Sequence, residues 1–92
     1  MKNFSVGEIV SSTAGRDDNE LYVIYKVLDN KALLVNGNNK TFLHPKNKNL
    51  NHIISHNHIV EVLNEKFTSG KQVFDAEVYS ALKKFKENNK GE

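Results

Sequence analysis

Residues 21–28 read Leu21-Tyr22-Val23-Ile24-Tyr25-Lys26-Val27-Leu28, and this run decides the fold class. Leu21, Val23, Tyr25 and Val27 alternate with Tyr22, Ile24, Lys26 and Leu28, so a strand here is apolar on both sides. That is too apolar for a free edge, and it calls for cover on both faces. Upstream, Val6-Gly7-Glu8-Ile9-Val10-Ser11-Ser12 predicts a strand, and the turn-rich Thr13–Asn19 stretch predicts a loop. Downstream, the turn Asp29-Asn30-Lys31 leads to a strand Ala32–Val35. Asn36-Gly37 then signals a hairpin, lengthened by Asn38-Asn39-Lys40, into a further strand Thr41-Phe42-Leu43. Pro45 ends that strand and biases His44 to an extended conformation, and His52-Ile53-Ile54 supplies a last short strand. Five short antiparallel strands with little room for two sheets imply a small closed or half-closed barrel of SH3-like size.

From residue 57 the apolar period moves from 2 toward 3.6. Asn57 or Ser55 is a candidate cap for a helix with Ile59, Val62, Leu63 and Phe67 on its apolar face, and Gly70 is a natural stop. A second helix is expected from Asp75, with the stripe Val78, Ala81, Leu82 and Phe85, and with the Asp75 carboxylate capping Glu77 or Val78. The expected organisation is mainly β with an α tail: a barrel over residues 1–56, a two-helix extension over 57–87 and a disordered tail over 88–92.

The chain has 92 residues, no cysteine, no tryptophan and a formal charge of +2, which leaves room for one small domain. Without cysteine there is no disulfide, no thiolate metal cage and no nucleophilic thiol. The amino terminus lacks the apolar run of a signal peptide, and the longest apolar stretch is far short of the ~20 residues that span a bilayer, so a cytoplasmic protein with no membrane partner is expected. The charge is uneven along the chain. Residues 1–29 carry a balance of −2 and residues 61–92 cancel, whereas Asn30–Val60 contains Lys31, Lys40, Lys46 and Lys48 and no acidic residue. All four histidines lie in that segment. Such a stretch reads as either a solvated lysine face or a surface for phosphate.

Val6-Gly7-Glu8-Ile9-Val10, with Ala14-Gly15-Arg16-Asp17-Asp18-Asn19-Glu20-Leu21-Tyr22-Val23-Ile24, resembles a KOW motif, a strand, a glycine-containing loop and a second apolar strand. The continuation Val35-Asn36-Gly37, Lys40 and His44-Pro45-Lys46-Asn47-Lys48-Asn49-Leu50-Asn51-His52-Ile53, then two helices, is similar to short bacterial KOW-domain proteins. These are related to the KOW-bearing large-subunit ribosomal proteins of archaea and eukaryotes, and the resemblance covers about residues 4–87. It implies an SH3-like barrel that binds RNA, most of all ribosomal RNA, at or near the ribosome, with ribosomal or transcription proteins as further partners. The sequence departs from the family at Asn47, Asn49 and Asn51, where relatives tend to carry lysine or arginine. Asparagine can donate to phosphates but releases no counterion.

The residues themselves point the same way. Gly15 permits close backbone approach, and Arg16 can fork onto a phosphate or pair locally with Asp17 and Asp18. Lys46 and Lys48, two apart in an extended segment, should point to one side. The expected RNA-binding set is Gly15, Arg16, Lys40, His44, Lys46, Asn47, Lys48, Asn49 and His52, with Tyr79 the aromatic left free for stacking. His52 and His56 are four apart but in a stretch that reads as strand, so they do not share a helical face for a metal, and no metal or cofactor is expected. No phosphate-binding loop, nucleophile elbow or paired acids are present, and an enzyme is not expected. The alternative is a protein-interaction module of the transcription or translation machinery, docking through the barrel or the helical tail.

Overall fold

A computed structural model of the protein describes residues 3–12 and 20–88. The chain is mainly β, with strands β1 (Glu8–Ser12), β2 (Leu21–Leu28), β3 (Lys31–Val35), β4 (Lys46–Asn49) and β5 (Ile53–Ile59). A short 3-10 helix, Leu50–His52, joins β4 to β5, and helices α1 (Glu61–Ser69) and α2 (Asp75–Asn88) follow. All pairings are antiparallel, in the order β4-β3-β2-β1-β5. No ladder joins β4 to β5 among the described residues, so the sheet is not closed, and of the closed or half-closed barrel expected the closed form is not seen. It is nevertheless curled. The edges of a flat five-stranded sheet stand about 19 Å apart, at about 4.8 Å per strand. The step from Asn49 on one edge to Ile53 on the other spans four residues, at most about 14 Å of chain.

Both faces of the sheet are covered, as the composition of β2 requires. On one side Val10, Tyr22, Ile24, Ala32, Leu34 and Ile53 form a buried cluster, with Phe4, Val6 and Leu50 packed against it. On the other side Ile9, Val23 and Val35 meet Leu63 of α1 and Val78 and Leu82 of α2. The helices therefore share a core with the sheet, and β5 itself continues to Ile59.

Several local expectations are corrected. In β2 the register shifts between Ile24 and Lys26, leaving Tyr25 as the extra residue of a bulge. The alternation is broken there, and Val27, opposite Ala32, no longer shares a face with Val23. Residues 41–43 are not a strand: the Phe42 ring packs 4.8 Å from Tyr25 and 6.1 Å from Phe67, and the Phe42 N–H donates to Asp75 Oδ1 (3.0 Å). The fourth strand lies after Pro45, in the wholly polar Lys46–Asn49. The connection after Asn36-Gly37 is longer than two residues, as the added Asn38-Asn39-Lys40 led one to expect. Asn36 organises a longer loop, its Oδ1 accepting from the N–H groups of Asn38 (2.9 Å) and Lys40 (3.0 Å).

His56-Asn57-His58 is a bulge in β5, with Asn57 at φ +56°, and does not cap a helix. α1 starts at Glu61, so Ile59 precedes it and is exposed, and Val62 is 64 % exposed instead of facing the core. Gly70 stops α1 in the left-handed conformation, as expected.

α2 begins at Asp75 as expected, but its cap is Glu77, which accepts from the Phe74 N–H (2.9 Å) while Asp75 is occupied by Phe42. Glu77 Oε1 also pairs with Lys66 of α1. The Lys66 hydrogen bond, then the Phe74 N–H, hold the Glu77 carboxyl below the ordinary carboxylate range. A depressed carboxylate contributes stability that is present above its unfolded pKa and lost as pH falls through the folded value. Melting temperatures of the wild type and Glu77→Gln should therefore differ at neutral pH and converge on acidification. A difference that stays constant with pH would exclude the ion pair as its source.

Candidate nucleic-acid interface

Strand β4 is an edge strand, and its pairing with β3 settles which way its side chains point. Lys46 stands opposite Leu34 and Lys48 opposite Ala32, both residues of the curled face, so the two lysines share that face. The Lys46 ammonium lies 5.7 Å from the centroid of the Tyr22 ring. Asn47 and Asn49, opposite Leu33 and Lys31, belong to the other face. Asn49 has a local duty as well, since its Oδ1 accepts from the Asn51 N–H (2.9 Å) at the start of the 3-10 helix. His52 is exposed in that helix, and His44 is exposed after a turn closed by its N–H to the Thr41 carbonyl (3.0 Å).

Lys40 closes the loop that Asn36 organises, its carbonyl accepting from the N–H groups of Asn36 (2.8 Å) and Gly37 (3.2 Å). Gly15 and Arg16 lie outside the described residues. The structure thus unites Lys46 and Lys48, and turns Asn47 and Asn49 away from them.

The segment that is free of acids in sequence is not free of them in space. Glu20 Oε2 accepts from Asn36 Nδ2 (3.4 Å), Asp75 accepts from Phe42, and Asp29 borders a cleft with Asn49 and Asn51. Among the described residues no group of three histidines or carboxylates gathers as a metal site would require. His56 and His58 instead pack their rings 6.1 and 5.1 Å from Phe85, with His56 Nε2 3.1 Å from Ser11 Oγ. No protein-family model and no curated protein matches the chain.

A second group emerges that residue-by-residue reading of the middle segment misses. Tyr79, Lys83 and Lys86 recur at i, i+4 and i+7 on one side of α2, and with Glu20, Asn36 and Asn38 they line a cleft of about 250 Å³. Tyr79 is 50 % exposed. The helical spacing is visible in the sequence, but the zero balance of residues 61–92 conceals the lysines. Two of the acids that cancel them are engaged elsewhere, Asp75 with Phe42 and Glu77 with Lys66. No described helix is long and apolar enough to cross a membrane.

Proposed function

We propose that the protein binds RNA, at or near the ribosome in the cytoplasm, without catalysing a reaction. The observation that carries this reading is the β4 edge, where Lys46 and Lys48 share one face and no acidic side chain stands in the strand. Two lysines at alternate positions of a strand, about 6.6 Å apart along its backbone, suit a run of phosphates better than a globular ligand. Lys40, His44 and His52 are further candidates for the proposed surface, whereas Asn47 and Asn49 lie on the opposite face of β4. The strand order, the curl of the sheet and the 3-10 link between β4 and β5 support an SH3-like barrel, in keeping with the KOW resemblance.

Replacing both Lys46 and Lys48 with alanine should weaken binding of ribosomal RNA and reduce the slope of log K against log salt by about 1.5–2, since two phosphate contacts are lost. Filter binding from 50 to 300 mM salt measures it. An unchanged slope would remove β4 from the interface. In extracts, the protein should sediment with ribosomal subunits at low salt and leave them at high salt.

One observation favours protein docking instead, an apolar groove between the helices bordered by Val60, Val62, Ala76 and Ala81. Association through it would tolerate salt and be lost in Val62→Glu.

A further inference from the structure

We infer that the cleft between α2 and the Asn36–Lys40 loop is a nucleotide subsite, which takes one unpaired RNA base stacked on Tyr79 with its flanking phosphates against Lys83 and Lys86. The inference rests on the RNA reading and extends it from the β4 edge to a second, base-binding position.

Geometry supports a preformed site. The loop wall is fixed by Asn36, whose amide also donates to Asn39 Oδ1 (2.8 Å), and by Gly37, which lies against the first turns of α2. Little ordering is then needed on binding. The cleft is smaller than the roughly 300–1,000 Å³ of pockets that hold whole small molecules, which suits a single base. Tyr79 lines the cleft, is half exposed and makes no ring contact with another aromatic among the described residues, unlike Tyr25 and Phe42, which leaves ring surface for a base. Only a base out of its helical stack can present that face, which selects single-stranded or looped RNA.

Charge sets the polarity of the bound nucleotide. Glu20 stands in the cleft beside Asn36 and repels a phosphate there, while its carboxylate can accept from an exocyclic amino group. Lys83 and Lys86, both exposed, place positive charge along the helix side of the cleft. Glu87, four residues after Lys83, tempers that charge without entering the cleft. The base therefore enters and the backbone stays outside.

The test uses the full chain and two labelled RNA probes, a hairpin with an unpaired mixed-sequence loop and a blunt duplex of equal length, read by fluorescence anisotropy. Tyr79→Ala and Tyr79→Leu should each weaken hairpin binding about tenfold or more, leave duplex binding unchanged, and leave the salt slope intact; Tyr79→Trp should restore the hairpin affinity. Lys83→Ala with Lys86→Ala should lower the slope by about 1.5. Far-UV circular dichroism checks that each variant is folded, and the leucine variant keeps the apolar bulk should alanine disturb α2.

If both Tyr79 variants bind the hairpin as tightly as the wild type while the Lys46/Lys48 double variant still loses affinity, the subsite is wrong and the RNA reading stands. If the wild type binds neither probe, both are wrong.

Discussion

Deleting residues 72–92 is expected to abolish cooperative folding. Val78 and Leu82 are buried in the cluster that contains Ile9, Val23 and Val35, with Ala81 and Phe85 packed at its border. Removing even one such large side chain typically costs about 2–5 kcal/mol, and the deletion removes two together with the cover over three buried sheet residues. A domain of this size has about 5–14 kcal/mol in total. The two side chains alone cost about 4–10 kcal/mol, comparable to what the fold has to spare before the lost cover is added. Urea titration followed by circular dichroism should give no sigmoidal transition for the truncated chain. A transition with the wild-type midpoint would mean that the sheet is stable without α2, and would dissolve the shared core. The deletion is also useless for separating RNA binding from protein docking, because it would destroy both. Val62→Glu, at a side chain already 64 % exposed, probes the groove without touching the core.

What was legible in the sequence follows from what is local. The two apolar faces of β2 called for cover on both sides, and the structure supplies one cluster on each. Gly70 marks a helix end because positive φ is a property of one residue, and α2 does start at Asp75, although its carboxylate goes to the distant Phe42 N–H instead of capping the helix. The polar strand Lys46–Asn49 could not be found this way. It has no apolar periodicity and is extended because it pairs with β3, a non-local cause. Phe42 illustrates the converse, an apolar residue in a strand-like run whose ring and N–H are both taken by the helical layer. The bulges at Tyr25 and at His56-Asn57-His58 likewise break alternations that looked regular.

For the site, period 2 alone put Lys46 and Lys48 on one side, and the same parity sends Asn47 and Asn49 to the other. The grouping of Tyr79, Lys83 and Lys86 with Asn36 depends on packing between distant segments. A charge sum over residues 61–92 cannot report it, since that sum counts carboxylates already engaged by Lys66 and by the Phe42 backbone.

Gly37→Ala should be among the most destabilising single changes in the protein, and Gly70→Ala provides its control. Both glycines have φ +77°, so an alanine at either position meets the same left-handed penalty of roughly 1–2 kcal/mol. They differ in space. At Gly70 an added Cβ has nothing within 4 Å, whereas at Gly37 it would overlap the Asp75 carbonyl oxygen and lie 2.7 Å from the Tyr79 nitrogen. Those are backbone atoms of α2 and cannot swing aside as a side chain would. Either the helix moves off the sheet, opening the cluster around Val78, or the loop lifts and strains the hydrogen bonds around Asn36. Overpacking of this kind costs about 1–3 kcal/mol beyond the conformational term. At about 4–8 °C per kcal/mol for a domain of this length, Gly70→Ala should lower Tm by about 4–16 °C and Gly37→Ala by about twice that or more. Equal shifts would mean that the loop yields without cost, and the wall of the cleft beside Tyr79 would then not be preformed. A large excess at Gly37 would tie the position of α2 to the same contact that shapes the base-binding cleft.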